Sequence, residues 1–202
     1  MMPKDCRELS DKAVELIEKS SSFAGMLNAD VAISVGELVR SMNCYYSNFI
    51  EGHDTHPRDI ERALHEDFDS SEDKRDLQKE AKAHIEVQCL IDRGVAPQQA
   101  FSKGFALWTH KEFCKRLPES MLWAKNPDTG EELPVVPGVL RETGVQVGRH
   151  IAPRHEDLDK FLVRFEEAYA PALHSRVCQV ISVAAAHHRF AWIHPLLMAM
   201  VV

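Results

Sequence analysis

The sequence predicts a mainly helical fold with one small β-hairpin. Three observations lead there. Apolar residues recur at three- and four-residue spacing along most of the chain, glycine and proline punctuate that pattern, and one stretch past the middle is rich in β-branched residues instead. The segment 10–18 places Ala13, Leu16 and Ile17 at helical spacing after a polar start, and 31–46 repeats the pattern with Val35, Leu38, Val39 and Met42. Gly52 and Pro57 then break the periodicity, because glycine frees the backbone and proline pushes the preceding residue out of helical geometry.

Pro57 suits the first turn of a third helix, with Ile60, Ala63 and Leu64 on one face; the acidic run 66–73 after it reads as a solvated loop. From 74 to 93, Leu77, Ala81, Ile85 and Cys89 recur every four residues before a Gly94 stop, which predicts a long core helix. Two shorter helices are expected over 97–108 and 110–117. Residues 126–130 read as a turn, and 135–147, punctuated by Gly138 and Gly144, as the hairpin. Helical spacing returns over 156–169 and 173–192.

A chain of 202 residues with 45% apolar and 27% charged residues fits one soluble domain, or one with a helical extension. The net charge of −7 gives no electrostatic reason to expect a nucleic-acid partner. Five scattered cysteines without a C-x-x-C pair argue against a disulfide framework or a zinc knuckle. No apolar run approaches the ~20 residues needed to cross a bilayer, and the first residues lack the apolar core of a signal peptide. A cytoplasmic protein with no membrane association is expected.

Chemistry concentrates at 190–195, Phe-Ala-Trp-Ile-His-Pro, which follows an alanine-rich helix. Pro195 disfavours helical geometry at His194, placing this histidine where a helix gives way to a loop, a suitable position for a proton acceptor. On residue type alone a His-Pro pair is more often structural. His187 and His188 are adjacent and point to different helix faces, so they make no metal site with His194. Trp108, Trp123 and Trp192 read as packing residues.

Taken together, three segments resemble the Fic family. Phe-x-x-Ile-His-Pro resembles the approach to the signature H-P-F-x-D/E-G-N-G-R-x-x-R. Upstream, 47–52, Ser-Asn-Phe-Ile-Glu-Gly, resembles the inhibitory motif S/T-x-x-x-E-G/N that family members carry on an N-terminal helix. Between them, 136–148 resembles the flap hairpin laid beside the active site. Singly, a Ser-x-x-x-Glu-Gly is most often a helix end.

The resemblance implies a Fic-type helical bundle, C-terminally truncated, with an N-terminal helical region over 1–65 carrying the inhibitory motif and an incomplete Fic (Fido) domain over 66–202. It implies a protein adenylyltransferase that moves AMP from ATP, with Mg²⁺, to a Ser, Thr or Tyr hydroxyl of a protein substrate. His194 would take the hydroxyl proton; Ser47, Glu51 and Gly52 would form the inhibitory motif; and Val139, Thr143, Val145 and Val147 would dock the target at the flap. Homo-oligomers are also within its scope. AMP removal, known in the family, would need the same phosphate-binding loop.

Where the family has F-x-D/E-G-N-G-R, this sequence reads Leu196-Leu197-Met198-Ala199-Met200-Val201-Val202. Phosphate donors, metal ligand and the motif's first arginine are replaced by apolar residues, so little or no AMP transfer is expected, and with the second arginine absent Glu51 is expected to lose the partner it would pair with. The alternative is a non-catalytic module that binds a protein segment along the flap by strand addition. A divergent apolar C-terminus is one explanation of the replacement. The genetic code offers a second. Written TTG-ATG-GCA-ATG-GTC-GTN, residues 197–202 shifted by one base read GAT-GGC-AAT-GGT-CGT, which is Asp-Gly-Asn-Gly-Arg. Loss of one T from TTT-GTT-GAT likewise converts Phe-Val-Asp into Leu-Leu and the first two bases of the methionine codon. A one-base deletion is therefore expected, and sequencing the gene across codons 193–202 should reveal Asp-Gly-Asn-Gly-Arg in the shifted frame; its absence from every frame would dispose of the deletion.

Overall fold

A computed structural model describes residues 3, 7–50, 52–53, 55–97, 99–125, 130–170 and 174–197. Among them the order is α1 (Arg7–Met26), α2 (Ala29–Ile50), α3 (Pro57–Leu64), α4 (Glu72–Asp92), α5 (Lys103–Cys114), β1 (Trp123–Lys125), β2 (Glu132–Pro134), β3 (Gln146–Val147), β4 (His150–Ile151), α6 (Leu158–Tyr169) and α7 (Arg176–Ile193). The fold is mainly helical, and its strands form two small antiparallel pairs, β1 with β2 and β3 with β4.

Helix ends follow local chemistry. Asn28 Oδ1 accepts from the Val31 amide at 2.9 Å and starts α2. Gly52, at φ +80°, ends it: its amide reaches the Phe49 carbonyl and the next amide, of His53, reaches Asn48, at 3.2 and 2.8 Å. This double bond pattern around a left-handed glycine is a Schellman stop. Pro57 occupies the first turn of α3, Gly94 at φ +69° follows α4, and Ser175 Oγ accepts from the Cys178 amide at the start of α7.

Two expectations change. The helices expected over 97–108 and 110–117 are one helix, α5. Phe101 takes a left-handed φ of 70° and Ser102 Oγ then caps the Phe105 amide at 3.0 Å, so the helix begins at Lys103 and runs through His110. The hairpin expected over 135–147 lies further on, because Gly148 at φ +57° opens the two-residue turn that pairs Val147 with His150. A second hairpin, β1–β2, precedes it; the turn residues 126–129 lie outside the described residues.

The chain divides into two compact units that interleave in sequence, so residues 1–65 are shared between them. One comprises Met1–Ala32, Gln98–Ala106 and Leu140–Pro195, the other Ile33–Pro97, Leu107–Val139 and Leu196–Val202. In the first, Leu158, Phe165 and Tyr169 of α6 pack on Ala186 and Ile193 of α7. In the second, Cys44 of α2 and Ile60 of α3 pack on Ala81 and Ile85 of α4, while Cys114, Ala124 and Val135 form a separate cluster joined by Leu197. Burial pushes the Cys44 thiol up to about 12 and that of Cys114 to about 11, so both stay protonated.

Phe165 anchors the first unit: its ring lies 6.1, 5.1 and 5.7 Å from those of Phe101, Tyr169 and Phe190. Phe165→Ala should cost about 3–5 kcal/mol in chemical denaturation. A loss below about 1 kcal/mol would mean that the aromatic cluster is not what holds α6 to α7.

Candidate functional site

His194 sits immediately after α7 with φ 47° and ψ 60°, the left-handed conformation. Pro195 explains why α7 stops here, but it does not explain the sign of φ. A side chain in this region crowds its own backbone, so a non-glycine residue stays there only when its surroundings fix it. The His194 amide still reaches back to Phe190 O at 2.9 Å, closing the last turn.

Arg141 supplies the fixing contacts. Its side chain is 4% exposed. Nε donates to the His194 carbonyl at 2.7 Å and Nη1 to that of Thr143 at 2.6 Å; Nη2 donates to Pro153 and, at 3.4 Å, to Ile193. The Arg141 amide donates to Pro195 O at 3.0 Å. Three consecutive carbonyls, 193 to 195, are thus held by one residue. They include the terminal carbonyls of α7, where the helix carries its partial negative charge, which suits a guanidinium placed away from water. Burial lowers the arginine's pKa, and a guanidinium keeps its charge in proteins.

The imidazole of His194 is half-buried and held below the usual histidine range, first by burial, then by the Arg141 charge and, to a smaller extent, by His150. A hydrogen bond between the ring and the Ala191 backbone works in the opposite direction. The neutral ring is therefore the form present at pH 7, with a nitrogen lone pair available to accept a proton. His150 is itself placed by a 2.8 Å bond between Nε2 and the Trp192 carbonyl, with the Trp192 ring 5.3 Å away. Arg189 lies 5.1 Å from the Trp192 ring on α7, whereas His187 and His188 are exposed there.

Thr143, Val145 and Val147 belong to the same unit as His194. They alternate with exposed Glu142, Gly144 and Gln146 and are half-buried, with the Val145 carbonyl accepting from the Ala152 amide at 3.0 Å. Val139 is exposed and lies in the other unit, as do Ser47, exposed on α2, and Gly52, the Schellman glycine. Glu51 lies outside the described residues.

One site-building residue was missed in the sequence, Arg141, and so was a buried histidine of the other unit, His110. Nothing in a single arginine within a glycine- and valine-rich stretch signals burial. His110 is 4% exposed; Nδ1 accepts from the Gly138 amide at 3.0 Å and Nε2 contacts the Leu197 carbonyl at 3.1 Å. Accepting at Nδ1 fixes the neutral tautomer with the proton on Nε2. Gly138 must be glycine, since at φ +76° an added Cβ would come within 2.9 Å of Lys111 Cβ.

The described residues after Pro195 do not fit ATP phosphates or Mg²⁺. Leu196 and Leu197 carry neither carboxylate nor cation, and Leu197 packs beside Cys114, Ala124 and Val135 with its carbonyl facing His110. Met198 to Val202 lie outside the described residues.

The sequence matches no family model and no curated protein. The fold is similar to the crystal structure of a Fic family protein from Desulfovibrio desulfuricans G20, with a TM-score of 0.66 at 11% identity. The similarity covers 97% of this chain and 55% of that one, so the chain spans about half the length of the solved structure it matches. At this identity the likeness establishes a Fic-like fold. No helix among the described residues is long and apolar enough to cross a membrane.

Burial holds three rings, His84, His110 and His194, below the ordinary histidine value of about 6.5, so the unfolded chain binds their protons more readily. Their contribution to stability is complete above about 6.5 and is lost as pH falls through the lower folded-state values. Denaturation at pH 7 and 5.5 should show that loss, and His110→Gln should show less of it; equal losses would remove His110 from the account.

Proposed function

We propose that this chain is a Fic-family protein in which His194 stands at the position of the proton-accepting histidine and the groups that handle the nucleotide are absent. One observation carries the reading. In a fold shared with a Fic family protein, a histidine follows a helix in a strained left-handed turn, with its ring neutral and its backbone carbonyl held by a buried arginine. Effort of this kind spent on one imidazole fits a proton acceptor better than a packing residue.

The parent activity that this reading implies is transfer of AMP from ATP to a Ser, Thr or Tyr hydroxyl of a protein. His194 would remove the hydroxyl proton as the oxygen attacks the α-phosphate. ATP phosphates and Mg²⁺ would be held by the glycine-rich loop, and at 196–202 the chain has apolar residues in its place. Losing one pre-oriented donor commonly costs about a hundredfold or more in rate, and here every such group is replaced. The chain as it stands is therefore an inactive relative. Ser47, Glu51 and Gly52 retain the outline of an inhibitory motif.

A second reading, a protein-binding module, is favoured by the outer side of the β3–β4 hairpin, where Ile151 is 74% exposed on a short strand. An extended target segment could add to that edge through its backbone.

Radiolabelled ATP separates the readings. The 202-residue chain should transfer no label to itself or to proteins of a lysate, while a version in which Asp-Gly-Asn-Gly-Arg is restored after Leu197 should transfer it and lose the ability on His194→Ala. Transfer by the unaltered chain, abolished by His194→Ala, would refute inactivity; silence from the restored version would refute the adenylyltransferase assignment.

A further inference from the structure

We propose that Arg141 is the positioning residue for His194, holding the histidine's left-handed turn in place and fastening that turn to the base of the β3–β4 hairpin. The inference rests on reading His194 as the proton acceptor, but its content is geometric. Arg141 donates to the carbonyls of Ile193, His194 and Pro195 on one side, and to those of Thr143 and Pro153, which flank the hairpin, on the other.

Only a guanidinium suits this place. Its donors lie in one plane and diverge, so a single side chain can reach carbonyls on two separate backbone segments. A lysine ammonium would bring the charge to the same place but would reach fewer of these acceptors from one point. Among the described residues no carboxylate pairs with Arg141; its charge is met by carbonyl dipoles, those of the α7 terminus foremost. A buried cation held this way imposes geometry, because rotating any one carbonyl away leaves a charged donor unsatisfied.

The same contacts affect the ring. The charged and titratable groups facing the imidazole are Arg141 and His150, and both favour its neutral form. Arg141 thereby fixes where the histidine lies and keeps it unprotonated.

Histidine-resolved NMR titration and amide exchange on the 202-residue chain test this without requiring AMP transfer, so a failure here stays distinct from a failure of the adenylyltransferase reading. In Arg141→Gln the His194 midpoint should rise toward about 6.5 and its amide should exchange about tenfold faster or more. The midpoint of His110, in the other compact unit, should not move. Arg141→Lys should keep the low His194 midpoint, since the charge remains, yet lose the amide protection, since the fork is gone. His194 that titrates and exchanges as in the unaltered chain in Arg141→Gln would overturn the proposal. So would a parallel shift of His110, which would reveal general loosening. If the glutamine variant does not fold, Arg141→Lys decides alone: faster His194 exchange with an unmoved His110 supports the positioning role, and unchanged exchange refutes it.

Discussion

The guanidinium of Arg141 carries a full charge into a place where carbonyl oxygens are its hydrogen-bond partners, and the surrounding backbone is arranged around that requirement. Helix α7 ends with its last carbonyls turned toward the cation, the chain reverses at His194 in a conformation that L-residues rarely adopt, and Thr143 and Pro153 close the cradle from the hairpin side. Each of these is costly alone: a buried cation, a left-handed histidine, and helix carbonyls without amide partners. Together they cancel much of one another's cost, because the orphan carbonyls are the ligands the cation needs and binding them fixes the turn.

Much of the fold was legible because helix ends are local chemistry. Pro57, Gly94, Gly52 and the alanine-rich approach to Pro195 announced boundaries that the structure keeps within a few residues. Failures arose where a long-range or backbone-specific choice overrode pattern. The start of α5 depends on a left-handed Phe101 and a capping Ser102, and the apolar spacing of Ala100, Phe101, Phe105 and Leu107 conceals both. The hairpin was displaced because β-branched residues announce extended chain without saying which part of it pairs, and the pairing follows Gly148.

The candidate site divides in the same way. His194 was legible, since proline after a histidine at the end of a periodic run marks a terminus. Its left-handed turn was not, since that follows from Arg141, more than fifty positions earlier in the sequence. In the other unit, His110 was hidden for a similar reason: its position in α5 gave no sign that one nitrogen meets Gly138 and the other Leu197. Residues that read as chemical in a sequence are the ones flanked by local punctuation, whereas residues that prepare them act across the fold.

This separation bears on what the chain retains. The features that shape and neutralise the histidine come from Arg141, Thr143, His150, Pro153 and the end of α7, all at or before Pro195. On the proposed reading, the features that would bind phosphates and metal belong to the residues after it, where Leu197 is instead part of an apolar cluster. On that reading, a change confined to positions 196 onward would remove the nucleotide chemistry and leave His194 prepared, because no contact in the Arg141 cradle comes from a residue beyond Pro195. The prepared histidine without its phosphate loop is what such a change would leave, and it need not imply that the histidine has acquired a different task.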